Sequence, residues 1–184
     1  MMEWVARALR NPHARVTGVV YLLYFLTAIL AQFLVSRAFV AFGNATNVIA
    51  TALYVALTLL FYLLFKPVNR SLSLLAALFS LVGCVVMTIA IFLPSWPINP
   101  LLFFGPYCLL IGYLIFRSMF LPRVLGVLMA LAGLGWLAFV SPTLPHYLSL
   151  SIEGLGIVAE ASLMLWLIVM GVNDRRWKEQ AGTA

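Results

Sequence analysis

Six long apolar segments, separated by short polar connections, make up most of the chain. An α-helix needs about 20 apolar residues to cross the hydrocarbon core of a bilayer. The pattern therefore predicts one all-α transmembrane domain over residues 15–172, the fold class of a polytopic membrane protein. Its six predicted transmembrane helices lie at residues 15–36, 45–65, 71–93, 98–116, 124–140 and 150–172.

The basic residues lie on one side of this arrangement. Of the 11 Lys and Arg residues, only Arg37 lies in a connection on the other side. Lys and Arg resist translocation and accumulate in cytoplasmic loops. The charges therefore predict that the N-terminus and the C-terminus are both cytoplasmic. The remaining basic residues are Arg7, Arg10, Arg15, Lys66, Arg70, Arg117, Arg123, Arg175, Arg176 and Lys178.

Two terminal segments flank the predicted domain. In residues 1–14, Trp4 and Leu9 alternate with Arg7 and Arg10, which is typical of a short helix in the cytoplasmic interface of a membrane. Residues 173–184 are rich in charge and are predicted to form a cytoplasmic tail.

Composition excludes a soluble domain and a nucleic-acid partner. Hydrophobic residues make up 65% of the 184 and charged residues only 9%, whereas soluble domains carry about 25% charged residues. The net charge of +6 is placed beside the apolar segments, where basic residues meet anionic lipid headgroups. The lipid bilayer is therefore the predicted partner, and no nucleic acid is expected.

Four stretches of the sequence resemble one protein family. Its most specific strings here are K-P-V-N-R-S and F-R-S-x-F-L-P-R-x-L-G-V. The four stretches are ARVTGVVYLLYF, LLFKPVNRSLSLLAALF, CLLIGYLIFRSMFLPRVLGVLMALAGLGWL and AEASLMLWLIVMGVN. They are similar to the bacterial membrane proteins called domain of unknown function 4386. The resemblance implies a multi-pass protein of the bacterial cytoplasmic (inner) membrane, and it brings no established activity.

Glu160 is the polar residue that most needs an explanation, because it lies within the last apolar segment. An ionisable group inside a bilayer is costly and often functional. At 1.5 Å per residue, Glu160 lies about 12 Å from the outer end of its helix. Glu153 and Gly156 precede it on the same helix face, and Gly156 would let a neighbouring helix approach closely.

Further polar residues fall at comparable depth in the neighbouring segments. Tyr107 is also about 12 Å from the outer edge by the same helical rise. We expect these residues to surround a small cavity in the outer half of the bundle, with Glu160 at its base. The candidate ligand-binding residues are Glu160, Tyr107, Gln32, Asn47, Thr51, Glu153 and Thr88.

Glu160 has two alternative roles that the sequence leaves open. In its protonated form it could donate a hydrogen bond to Tyr107 or Gln32 and lock the packing of the helices. Alternatively it could bind a ligand or carry a proton. Glu160→Gln and Glu160→Leu variants would separate these roles, since an amide can still form hydrogen bonds.

No metal site, cofactor site or catalytic residue is identifiable from the sequence. A zinc-protease helix, a P-loop, a nucleophile elbow and a Cys-x-x-Cys pair are absent. His13 and His146 are predicted on opposite sides of the membrane, where they could not hold one haem between them.

Three classes of function remain. The favoured class is a non-enzymatic binding or accessory protein that holds a lipid or another apolar small molecule, or that packs against a membrane-protein partner. The second is a small proton-coupled transporter that uses Glu160. The third is an intramembrane enzyme acting through Glu160 and Tyr107.

Overall fold

The described part of the chain folds entirely into α-helices and their connections. The structure, a computed structural model, describes residues 12–139 and 144–182. Side chains are described over residues 14–139 and 151–182. The predicted interfacial helix therefore lies largely outside the described residues. Seven helices occur in the described part: α1 Pro12–Ser36, α2 Val40–Phe65, α3 Arg70–Phe92, α4 Leu101–Arg117, α5 Arg123–Ala138, α6 Leu144–Val169 and α7 Asp174–Gly182.

Each predicted transmembrane segment overlaps one helix, and the largest differences lie at the starts of two helices. The structure begins α2 at Val40 instead of residue 45, because the chain reverses tightly at Ala38, whose φ is +65°. It begins α6 at Leu144 instead of residue 150, and Pro145 is tolerated as its second residue because the first helical N–H groups need no partner within the helix. The predicted tail forms the helix α7.

The long helices have the composition of membrane spans. Among the described residues, α1, α2, α3 and α6 contain stretches that are long and apolar enough to cross a bilayer. The helices α4 and α5 are apolar but have only 17 and 16 residues. At 1.5 Å per residue they reach about 25 Å, slightly less than a hydrocarbon core of about 30 Å. Length and composition thus identify a membrane protein, and they leave the number of spans to be argued from other features.

The six long helices form a ring in chain order. Each packs against the next, and α6 returns to pack against α1. Large apolar side chains such as Leu26, Val85 and Leu134 are exposed on the outer surface, as expected where lipid replaces water. Buried hydroxyl groups join neighbouring helices inside the ring, since Thr58 and Ser80 lie 2.6 Å apart across α2 and α3.

Two pairs of glycines bring the backbones of α4 and α5 into direct contact. A Cβ atom added to Gly112 would lie 2.7 Å from the carbonyl oxygen of Gly126, and one added to Gly126 would lie 2.6 Å from the carbonyl oxygen of Gly112. Gly105 and Gly133 face each other in the same way, about two helical turns further from the basic end. The spacing is seven residues in both helices, so small residues recur along one face.

The basic end of the bundle, formed by the connections 66–69, 118–122 and 170–173, is closed by α7. The indole N–H of Trp177 donates to the carbonyl oxygen of Leu64 at 3.0 Å. The guanidinium of Arg176 donates to the carbonyl oxygen of Met119 at 3.2 Å. These bonds attach α7 to the end of α2 and to the connection between α4 and α5. All three connections consequently lie at one end of the ring.

Candidate functional site

The helices separate around a cavity of about 220 Å³ at the end opposite the basic end. We call this the cavity end. All six long helices contribute to the wall. Most lining residues lie in the half of their helix that is distant from the basic end, whereas Tyr54 on α2 and Glu160 on α6 lie just past the middle of theirs, towards the basic end. The lining residues are Tyr24, Ala28, Gln32, Asn47, Ala50, Thr51, Tyr54, Cys84, Met87, Leu101, Phe104, Cys108, Trp136 and Glu160.

The shape of the cavity follows from helix periodicity. Tyr24, Ala28 and Gln32 are spaced by four residues on α1 and share one face. At 1.5 Å per residue this stripe is about 12 Å long. Gln32, near the end of α1, is exposed, so the cavity reaches the surface there. The site is therefore a narrow cleft that runs along the helices from an opening beside Gln32, at the cavity end, towards the middle of the ring.

Glu160 forms part of the wall and is held by a hydrogen bond from the neighbouring helix. The hydroxyl of Tyr21 on α1 donates to Oε2 of Glu160 at 3.1 Å. The Tyr21 ring is buried and packs edge-on against Phe61. The partners predicted from the sequence were Tyr107 and Gln32, and the structure pairs Glu160 with Tyr21 instead. The reason is that α1 packs directly against α6, an adjacency that depth along each helix does not reveal.

Glu160 faces no basic side chain in the described part of the chain. The ion pair found there joins Arg175 to Glu179 on the exposed face of α7. Every buried side-chain nitrogen and oxygen atom among the described residues has a hydrogen-bond partner. The polar groups of the bundle are therefore satisfied, but the carboxyl group of Glu160 has no described cation beside it.

The structure brings together four of the seven candidate residues. Glu160, Gln32, Asn47 and Thr51 line the same cavity. The Thr51 hydroxyl also donates to the carbonyl oxygen of Asn47 on its own helix, which fixes its orientation. Whether these residues bind a ligand stays a prediction.

The other three candidates lie elsewhere. Tyr107 is buried beside Tyr54, with ring centroids 6.1 Å apart, and it is not part of the wall. Thr88 turns its hydroxyl back to the carbonyl oxygen of Cys84. Glu153 is exposed on α6. None of the three lines the cavity.

Four aromatic side chains of the wall were not among the candidate residues, although Tyr24 lies on a polar stripe of α1 that helical spacing marks out and the aromatic content of 14% suits an apolar pocket. The Tyr24 and Tyr54 ring centroids lie 4.7 Å apart, and those of Tyr54 and Phe104 lie 5.3 Å apart with the rings nearly perpendicular. Trp136 completes the aromatic wall. Its indole packs on Gly156 so closely that a Cβ atom there would clash with Cζ2 of the ring. Gly156 was the available signal, since its missing side chain makes room for a neighbouring group.

The two cysteines also line the cavity. Cys84 on α3 and Cys108 on α4 are both buried and unbonded to each other. Among the described residues, no three His, Cys, Asp or Glu side chains are grouped so that they could hold a metal ion. The arrangement can bind a small molecule through apolar contact, aromatic faces and one carboxyl group.

Comparison with known proteins supports the family resemblance. Residues 94–171 match the family described as Domain of unknown function (DUF4386), which confirms the suspected family over that part of the chain. An uncharacterized protein of Archaeoglobus fulgidus is 28% identical over 120 residues, covering 60% of this chain and 72% of the relative. No solved structure matches this chain.

Proposed function

We propose that this chain is a six-span protein of the bacterial cytoplasmic membrane that binds a small molecule in the cavity and has no enzymatic activity of its own. In this proposal both termini are cytoplasmic, and the cavity opens on the outer side. The observation that carries the proposal is the cavity itself, whose wall combines apolar and aromatic side chains with Glu160, Gln32, Asn47 and Thr51.

The proposed orientation rests on the positions of the basic residues. Lys66, Arg70, Arg117 and Arg123 all lie at the ends of helices that meet at the basic end. The positive-inside rule assigns such an end to the cytoplasm. Arg37 is the exception, because it follows α1 at the cavity end. The cavity then lies in the outer half of the membrane, and six helices cross it even though α4 and α5 are short.

The size of the cavity supports a small ligand. A cavity of about 150 Å³ holds benzene in an engineered protein, and the present cavity is about 220 Å³. It therefore suits a molecule somewhat larger than a single ring, or the terminal group of a lipid. A complete lipid could only insert one of its ends.

The packing of the basic end favours binding over transport. Below the cavity the ring is filled by side chains that are completely buried, among them Leu57, Phe65, Leu114, Leu163 and Leu167. A proton-coupled transporter, the second candidate, needs access to Glu160 from both faces. A filled inner half supports a binding protein with one opening.

Cysteine labelling tests the proposed opening, because the two native cysteines both line the cavity. Membrane-impermeant thiol reagents would be added to right-side-out and to inverted vesicles. We expect labelling from the outer side, and Cys84→Ser and Cys108→Ser variants assign each signal. Labelling from both sides would favour the transporter, and labelling from the inner side alone would reverse the orientation. An absence of labelling even by a small neutral reagent would contradict an accessible cavity.

Native mass spectrometry of gently solubilised protein tests binding directly. We expect a small molecule to co-purify and to protect the cysteines from labelling until it is removed. Protein that is empty and that gains no protection from membrane extract would contradict the binding function.

A further inference from the structure

The cavity contains the elements of a site for an organic cation. Four aromatic residues and one carboxyl group occupy a single wall that is otherwise mostly apolar. Aromatic faces attract ammonium groups, and such cages recognise quaternary and methylated amines. Building on the proposed binding function, we infer that the cavity binds a compact organic ammonium group, with Glu160 as its counter-ion and Tyr24, Tyr54, Phe104 and Trp136 as the surrounding aromatic wall.

The aromatic residues come from four different helices and meet at one place. Tyr24 is on α1, Tyr54 on α2, Phe104 on α4 and Trp136 on α5. The first three form a continuous row through edge-to-face contacts. Edge-to-face contact turns neighbouring rings in different directions, so the row offers ring faces as well as edges to an occupant.

No basic side chain of the described protein occupies this aromatic wall. The cation–ring contacts found in the described part are Arg37 over Phe33 and Arg123 over Phe116, and none of these four residues lines the cavity. Glu160 likewise has Tyr21 as its described partner and no described basic neighbour. An ammonium ligand would supply the positive charge that both the carboxylate and the rings attract.

The volume and the polar opening restrict the ligand further. A trimethylammonium or primary ammonium group with a short chain is comparable in size to the space of about 220 Å³. Gln32, Asn47 and Thr51 could accept hydrogen bonds from a hydroxyl or an amine at the outer end. The same ammonium chemistry occurs in free small amines and in lipid headgroups, and both could reach an opening at the membrane surface.

A matched pair of probes tests the role of the charge. Choline and 3,3-dimethylbutan-1-ol have the same shape, but a carbon atom replaces the ammonium nitrogen in the alcohol. Binding to the purified protein would be measured from the ligand-dependent rise of the unfolding midpoint. We expect choline to bind at least about tenfold more tightly than the alcohol, which corresponds to about 1.4 kcal/mol.

Two variants assign that preference to the cavity. Glu160→Gln should clearly reduce the preference for choline, because only the aromatic rings then attract the ammonium group, and Glu153→Gln, which removes an exposed carboxylate from the same helix, should leave it unchanged. Equal binding of choline and the alcohol by the wild-type protein would overturn the inference. An undiminished preference for choline in folded Glu160→Gln would also overturn it.

Thiol labelling of the wild-type protein keeps the test independent of whether Glu160→Gln folds. Methanethiosulfonate reagents bearing a trimethylammonium group or a sulfonate group would be compared at the cavity cysteines, after correction for their intrinsic rates. We expect the cationic reagent to react at least about tenfold faster, and choline to slow it. Equal rates would overturn the ammonium inference, whereas labelling by a neutral reagent would still support the accessible cavity.

Mass spectrometry distinguishes the two sources of the ammonium group. A retained phosphatidylethanolamine that choline displaces would identify a lipid headgroup as the occupant. Choline binding to protein without a retained lipid would identify a free small cation. Retention of only anionic phosphatidylglycerol, undisturbed by choline, would count against an ammonium site.

Discussion

Aromatic side chains pack differently at the two ends of the ring of helices. Towards the basic end the rings stack nearly parallel, as in Phe61, Phe65 and Phe120. At the cavity end the rings meet edge to face around an open space, as in Tyr24, Tyr54 and Phe104. The stacked centroids lie 5.9 and 6.2 Å apart with interplanar angles of 19° and 25°. The cavity rings cross at 62° and 84°. The same class of side chain thus closes one end of the ring and lines the cavity at the other.

The difference between the two ends lies in what fills the space between the helices. At the basic end, Phe65 and Leu114 are completely buried and α7 adds hydrogen bonds to backbone carbonyl groups. At the cavity end, the small residues Ala28 and Ala50 line the wall and leave volume unfilled. We therefore expect substitutions at the basic end to change stability, and those at the cavity end to change binding.

The largest effect is expected where the helix backbones touch near the basic end. Gly112→Leu would place a side chain within 2.7 Å of the Gly126 carbonyl oxygen, and neither backbone can yield without separating α4 from α5. Overpacking of a core commonly costs about 1–3 kcal/mol and occasionally more, and we expect the upper end or loss of the folded protein. The yield of monodisperse protein and its unfolding midpoint measure the effect.

Gly154→Leu is the matched control for this substitution. A Cβ at Gly154 meets no atom within 4 Å, and the residue lies in the apolar helix α6. We expect nearly normal stability for this control. Equal stability of the Gly112→Leu protein would show that α4 and α5 do not need the backbone contact.

The sequence could predict where residues lie along the helices but not the direction in which they point around each helix. Hydrophobicity located the six apolar helices, since each predicted segment overlaps one long helix of the structure. Depth also selected Glu160, Gln32, Asn47 and Thr51, which the structure places on one wall. Tyr107 has a suitable depth as well, yet it lies outside the wall, beside Tyr54.

The missed features all depend on contacts between different helices. Tyr21 holds Glu160 because α1 and α6 are neighbours, and Trp136 fills the space left by Gly156. The α4–α5 contact was also unexpected, since its glycines are spaced by seven residues instead of the four of the common small-residue motif. The tail forms the helix α7, and its Trp177 donates a hydrogen bond to a backbone carbonyl oxygen of α2. No local sequence pattern indicates this contact.

Truncation of one phenylalanine at each end should give unequal losses of stability. Phe65 is completely buried and stacks with Phe61 and Phe120. Phe104 is only partly buried beside the cavity. Phe→Ala changes in close-packed cores cost about 3–5 kcal/mol. We expect a loss in that range for Phe65→Ala and a smaller one, about 1–2 kcal/mol, for Phe104→Ala, because the cavity already deprives its ring of some contacts.

Equilibrium unfolding in detergent, with unfolding midpoints as a second readout, compares these two variants. Ligand binding should respond in the opposite order, with Phe104→Ala weakening it more than Phe65→Ala does among the protein that remains folded. Similar losses of stability at both positions would contradict the difference in packing between the two ends.

The smallest effect is expected at the boundary between the two ends, where Tyr21 donates to Glu160. Tyr21→Phe keeps the ring that packs on Phe61 and removes only the hydroxyl. A hydrogen bond between membrane helices contributes about 0.6 kcal/mol on average, so we expect a loss of about 0.5–1.5 kcal/mol. For a chain of this size that is a fall of about 1–6 °C in the unfolding midpoint, and Tyr113→Phe, at an exposed tyrosine, controls for the loss of a hydroxyl.

A double-mutant cycle between these positions separates the two roles of Glu160. If Glu160 locks the helices, Glu160→Leu should destabilise the protein, Glu160→Gln should largely preserve it, and Tyr21→Phe should add little once Glu160 is leucine. If Glu160 serves the ligand, both Glu160 variants should fold like the wild type and lose binding of the ammonium probe. Tyr21→Phe would then alter affinity more than stability, because the hydroxyl would only hold the carboxyl group at the wall of the cavity. The two roles thus make opposite predictions for one hydrogen bond, and the unfolding midpoint and the affinity for choline report on each separately.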